Sequence, residues 1–168
     1  MNQEKQHLTY YYGLKSRDHA ITLADVVAHR LGYGINGFAA RLLLETACAE
    51  TQLGTYPDST PNSGHGLCQF DQIGFDDVKA RTRQADISTI KLFFDVDITQ
   101  CSIEQLDNNP LLSFIFCRLK YKLIPNEIPD YLLGRAKYWK YHYNTWAGKG
   151  TVSHYLCSAN RILYPGDS

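Results

Sequence analysis

Glu50-Thr51-Gln52-Leu53-Gly54, followed after a polar loop by Gly64-His65-Gly66-Leu67-Cys68-Gln69-Phe70-Asp71, is the most informative stretch of this 168-residue chain. A carboxylate here closes an apolar helical run: Asn36 can cap a helix through about Ala49, with Phe38, Leu42 and Cys48 at helical spacing. Between Leu53 and Gly66 the composition turns to Gly54, Pro57, Asp58, Ser59, Pro61, Asn62, Ser63 and Gly64, which is loop chemistry. A carboxyl group buried against apolar walls resists ionisation, so its pKa rises. Kept protonated near neutrality, such a group can hand its proton to a leaving oxygen. Glycines at 64 and 66 would let the backbone approach a flat ring closely. Gln69 offers amide donors and an acceptor, and Asp71 a second carboxylate.

Two blocks carry a resemblance. The pattern E-[ST]-x-x-G, a short loop and G-x-G-L-x-Q-x-D, here Glu50 to Asp71, resembles goose-type lysozymes. The portion S-x-x-G-L-x-Q, here Ser63 to Gln69, is similar to soluble lytic transglycosylases. Tyr143-Asn144-Thr145-Trp146-Ala147-Gly148 is similar to the A-Y-N-x-G block of the latter, with Thr145 and Trp146 inserted before the glycine. Thr51 stands for the usual Ser, Cys68 for the usual Met, and His65 for a small or aromatic residue. The resemblance spans about residues 38–160. It implies a lysozyme-like fold, α+β but mostly α-helical, with a small irregular β or loop element beside an active-site cleft. It implies that Glu50 is the catalytic acid of a peptidoglycan muramidase, with bacterial glycan strands as partner. Asp71 falls where goose-type enzymes keep a cleft aspartate, and Gln69 lines the saccharide groove. Tyr143 and Asn144 inherit places near the catalytic Glu. The outcome is either hydrolysis, which the extra aspartate favours, or lytic transglycosylation to an anhydro end. A non-catalytic wall-binding module is the alternative of another class.

Each residue also has a plainer reading. Glu50 as a surface carboxylate would sit badly at a helix C-terminus, where the dipole disfavours it. Glu45 is a rival acid without the loop at the right distance. Asp71 is either a catalytic helper or a helix cap, and Asp58 either a second cleft carboxylate or part of a P-D-S-T turn. Gln69 contacts substrate or ties the loop, and Ser63 reads the same way. Trp139 and Trp146 stack on sugars or fill the core. His65, between two glycines, is expected in the cleft wall. It has no second ligand at i+3 or i+4, so no metal is expected. Nothing local activates Cys68 toward His142 or His154 as a thiol pair. Lys149 in Gly-Lys-Gly lacks the phosphate-loop frame.

Composition sets outer bounds. Hydrophobic residues make up 44% and charged residues 20%, as in an ordinary globular domain. Lys/Arg and Asp/Glu balance at seventeen each, yet residues 115–168 hold eight basic against three acidic groups. That bias suits an anionic wall polymer, but no run is dense enough for nucleic acid. Twelve tyrosines offer flat faces with polar tips, for carbohydrate or for half-buried packing. Five cysteines without metal spacing read as free, mostly buried thiols from a reducing compartment. No apolar run is long enough to span a membrane, and the polar stretch Met1 to Tyr12 carries no signal-peptide pattern. Synthesis in the cytoplasm and delivery to the wall by a holin, a virion or a secretion system are therefore expected. No cofactor is called for.

Along the chain, residues 1–21 read as a polar extension with a Tyr-rich patch, and 22–168 as the catalytic domain. Thr22 with Asp25 offers a capping box for a helix that Gly32 ends. Further helices are expected over Gly74 to Gln84, about 108–123, Pro129 to Tyr143 and Thr151 to Ile162. Residues 86–101 allow a strand or a short helix.

Overall fold

The computed structural model describes residues 7–58, 63–145 and 148–166. Seven α-helices are found among them: α1 (Arg17–Leu31), α2 (Ala39–Thr51), α3 (Gln72–Arg81), α4 (Gln84–Phe94), α5 (Pro110–Lys122), α6 (Leu132–Trp139) and α7 (Val152–Ile162). Two 3₁₀ turns, Ile98–Gln100 and Ile103–Asn108, lead into α5, and a π turn, Lys140–Asn144, extends α6. The chain is mostly helical. The small β or loop element expected beside the cleft comes down, among the described residues, to one antiparallel bridge between His65 and Phe70.

Helix α5 is the axis of the fold. Asn109 accepts from the Leu112 N–H at 3.0 Å, and Pro110 fills the first helical position, where no donor is needed. Every residue from Leu112 to Leu119 is buried, so the helix is covered on all sides. Helices α1, α2 and α3 pack against it, while α7 packs on α2 and α6. Phe70, Phe75 and Phe116 meet Tyr121, Tyr138 and Tyr143 in a contiguous aromatic layer. Several of the tyrosines therefore serve packing. Arg118 Nε and Lys122 Nζ donate to the carbonyls of Gly32 and Leu31, placing positive charge at the C-terminus of α1.

Four helix starts differ from expectation, one being α3, which begins at Gln72 rather than Gly74 and ends before Gln84. Ser16, not Thr22, caps α1, its hydroxyl accepting from the His19 N–H at 3.0 Å, and Thr22 is an exposed residue inside the helix. Leu14 and Ala20 are buried, and the Tyr11 N–H donates to the Gly54 carbonyl. The stretch read as a polar extension is thus laid against the fold from Tyr11 onward. Asn36 does not cap α2; its side chain donates to the Ile128 carbonyl, and Phe38 opens the helix without a side-chain cap. Helix α6 begins after Tyr131 rather than at Pro129. Residues 86–101 resolve into α4 and a 3₁₀ turn, not a strand. No helix of the described residues is long and apolar enough to cross a membrane. Cys48, Cys68, Cys101 and Cys117 are buried free thiols, and Cys157 is exposed.

Candidate functional site

Glu50 is the penultimate residue of α2. Gln52, Leu53 and Gly54 then adopt successive left-handed conformations (φ 51°, 52° and 75°), which stop the helix and turn the chain into the loop. For Gln52 and Leu53 that backbone costs about 1 kcal/mol each, the kind of strain that surrounding contacts must hold. Thr51 and Gln52 hold it. Thr51 Oγ1 donates to a carbonyl, Leu67 O lying at 2.8 Å, and accepts from the Gly54 N–H. The Gln52 amide donates to the Cys48 carbonyl and Ser158 Oγ. Glu50 itself is half-buried, and its Oε1 accepts from the Trp139 indole N–H at 3.0 Å. Burial pushes its carboxyl up to about 7, against the opposing pull of the indole N–H and the Lys120 charge. A group so poised is both an acid and a base near neutral pH.

A cleft of roughly 730 Å³ opens in front of Glu50. It lies between the end of α2, the loop before α3, the π turn after α6 and the first turn of α7. Of the residues singled out from sequence, Asp58, Ser63, Gln69, Asp71 and Asn144 border this cleft with Glu50. Gln69, left-handed at φ 51°, donates through its amide to the Gly66 carbonyl at 2.9 Å and to Tyr12 Oη at 3.4 Å. It ties the loop and lines the cleft at once. Asp71 is exposed on the cleft, and its Oδ1 caps α3 by accepting from the Gly74 N–H at 2.6 Å. The cap reading of Asp71 therefore holds, with one oxygen committed to it, and the residue also borders the cleft. Trp146 lies outside the described residues.

Four expected contacts fall elsewhere. Gly66 is buried. A Cβ there would sit 2.6 Å from both the Leu106 carbonyl and Ser113 Oγ, so this glycine serves packing, not approach to a ligand. Gly64 borders the cleft, but the close approach it permits is to the Gln69 backbone, 2.5 Å from a Cβ. Tyr143 is buried beneath the cleft, stacked on Tyr121, with its hydroxyl donating to the Cys68 carbonyl at 2.8 Å. Trp139, one helical turn earlier, takes the place beside Glu50. His65 faces a neighbouring chamber of roughly 540 Å³, which shares Asp58, Ser63 and Gly64 with the main cleft. Its Nδ1 lies 2.9 Å from Asp107 Oδ2, while Asp107 Oδ1 accepts from the Gly66 N–H.

The rivals are placed elsewhere too. Glu45 is fully buried, and Arg135 Nε donates to its two oxygens at 2.7 and 2.9 Å. Cys68 is buried with its thiol pushed up by desolvation, and it pairs with neither His142 nor His154. The Gly-Lys-Gly segment is shaped by the protein. A Cβ on Gly148 would collide with Asn144, and one on Gly150 with the Trp139 ring. Lys140 Nζ fastens this segment by donating to Asn144 Oδ1 and to the carbonyls of Thr145 and Gly148. Lys149 itself is exposed on the cleft.

Several residues at the site carry no local sequence signal. Tyr12 Oη accepts from the Asp58 N–H at 2.9 Å, so the N-terminal segment shapes one wall. Lys120 Nζ donates to the Tyr143 carbonyl and lies 4.1 Å above that ring. Burial pushes its ammonium down, and the charges of Asp71 and Glu50 oppose this. His154 borders the cleft with Nε2 at 2.8 Å from the Ala49 carbonyl. Set beside protein-family models, curated proteins and solved structures, the chain matches none.

Proposed function

We propose that this chain is a muramidase, cleaving the β-1,4 bond between N-acetylmuramic acid and N-acetylglucosamine in bacterial peptidoglycan. The observation that carries the reading is the Glu50 carboxyl, half-buried at a cleft and pushed up to about 7. Such an acid is protonated often enough near neutrality to deliver a proton to the glycosidic oxygen as the sugar gains oxocarbenium character. The two adjoining chambers, sharing a ledge at Ser63 and Gly64, suit an extended polymer better than a compact metabolite. Gln69, Asn144 and Asp58 supply polar contacts along that path. The burial of Glu50 weighs against a purely binding module, which has no use for a costly carboxyl.

Hydrolysis is the favoured outcome, because Asp71 stands on the same cleft. Lytic transglycosylation is the second reading, favoured by the commitment of one Asp71 oxygen to the α3 cap. In that case the muramyl 6-hydroxyl attacks and Glu50 returns as base. The products differ by one water, which mass spectrometry reads directly. The test of the central reading is clearing of purified peptidoglycan by the wild type beside Glu50→Gln. Clearing by the wild type alone is expected, and equal clearing by both overturns the assignment.

A further inference from the structure

His154 stands in the first turn of α7, exposed on the cleft that Glu50 borders. Its Nε2 lies 2.8 Å from the carbonyl oxygen of Ala49, the residue just before Glu50. A carbonyl oxygen can only accept, so Nε2 carries the proton. In the neutral ring the lone pair is then on Nδ1, which has no hydrogen-bond partner among the described residues. The backbone bond keys this imidazole to the same helical turn as the acid. Asp71, the other candidate for activating water, has Oδ1 held by the Gly74 N–H.

We infer that His154 is the general base of a hydrolytic reaction at this cleft, its Nδ1 accepting a proton from the attacking water. The inference rests on the muramidase reading and deepens it, because it selects hydrolysis over transglycosylation. Glu50 gives its carboxyl proton to the glycosidic oxygen as the bond from C1 to that oxygen breaks. The water oxygen bonds to C1 and its proton passes to Nδ1. Solvent then returns a proton from the imidazolium to the Glu50 carboxylate, so one water is consumed and both groups are restored. Glu50, Asp58, Asp71 and Lys149 are the other charged or titratable groups on this cleft, with Lys120 behind it. Glu50 accepts from the Trp139 indole, and His154 donates to the Ala49 carbonyl.

His154→Gln separates the chemistry from the structure, since its amide nitrogen can take the place of Nε2 on the Ala49 carbonyl while the imidazole lone pair is lost. On soluble glycan strands, kcat is expected to fall about 100-fold or more with KM within about threefold, as for loss of a general base. The unfolding midpoint should stay, and added imidazole should restore part of the rate. Glu50→Gln is assayed in parallel. If it keeps full activity, the muramidase reading itself fails. If it is inactive while His154→Gln keeps kcat within about threefold and ignores imidazole, the base assignment alone is overturned. Should His154→Gln not fold, the wild-type product decides: hydrolytic ends support the base, and anhydro ends overturn it.

Discussion

The indole N–H of Trp139 donates to Glu50 Oε1 across 3.0 Å, joining the end of α6 to the end of α2 at the mouth of the cleft. The bond favours the ionised carboxylate and so works against the burial that pushes this group up to about 7. Trp139→Phe keeps an apolar ring but removes the donor. A hydrogen bond to a charged group is worth about 1.5–3 kcal/mol, equivalent to roughly one to two pKa units. The alkaline limb of kcat/KM, which reports the acid in free enzyme, should move up by about one unit in Trp139→Phe. Rate profiles between about pH 5 and pH 9 on soluble glycan would show it, and a limb that stays in place or moves down contradicts this role.

Holding Glu50 in that setting costs stability, with a definite sign. The folded pKa, about 7, lies above the ordinary 4.5. Stability from this group is therefore full below about pH 4.5 and declines as pH rises through 7. The shift corresponds to roughly 2–3 kcal/mol once partial solvent access is allowed for. Glu50→Gln, whose side-chain oxygen can still accept from Trp139, should escape that decline and be more stable than wild type at pH 8 by about that amount. Glu45 titrates in both proteins, so the difference between their denaturation curves isolates Glu50. Parallel curves from pH 4 to pH 8 would show that the carboxyl is not raised.

Two glycines near the site should fail for different reasons. Gly66 has φ +74°, and an added Cβ would lie 2.6 Å from the Leu106 carbonyl and Ser113 Oγ. Gly66→Ala should cost about 2–4 kcal/mol, since backbone strain and overpacking add. Gly37→Ala, at φ +77° with nothing within 4 Å, supplies the backbone part alone and should cost about 1 kcal/mol. Gly150→Ala brings a methyl against the Trp139 ring, so it should lower kcat more than it lowers stability. Denaturant midpoints and rates for the three variants make the comparison, and equal losses at 37 and 66 would remove the packing argument.

What could be read from the chain follows from how local each signal is. Asn109-Pro110 and Thr151 mark the starts of α5 and α7 because caps are written in neighbouring residues. The end of α2 was legible for the same reason, with Glu50 running into Leu53-Gly54. Thr22 misled because a Ser or Thr followed by an acidic residue looks alike inside a helix and at its start; the residue that caps α1 is Ser16, with Asp18 in the first turn. The contacts that tune the site are long-range. Trp139 reaches Glu50 over 89 residues of sequence, His154 reaches Ala49 over 105, and Tyr12 reaches Asp58 over 46. No periodicity or cap encodes such pairings. The glycines at 64, 66, 148 and 150 were visible as residues, but whether each makes room for a ligand or for the protein itself depends on neighbours that only the fold supplies.

The buried pair Glu45–Arg135 ties α2 to α6, and α6 carries Trp139 one turn later. Both side chains are almost wholly enclosed; Arg135 also donates to the Pro129 carbonyl and the Tyr155 hydroxyl to Glu45 Oε2. Burial pushes the Glu45 carboxyl up and the guanidinium opposes it, so the pair stands or falls together. Arg135→Met leaves a buried carboxyl without its cation and should cost about 3–5 kcal/mol. Replacing both, Glu45→Met with Arg135→Met, removes the orphaned charge and should recover most of that loss. Activity separates scaffold from chemistry. If the pair only sets the α2–α6 geometry, the double variant regains peptidoglycan clearing along with stability, because Glu50 and Trp139 are untouched. Recovery of stability without clearing would instead mean that Glu45 acts on the reaction through more than packing, and a single variant as stable as wild type would mean the pair contributes nothing to the fold.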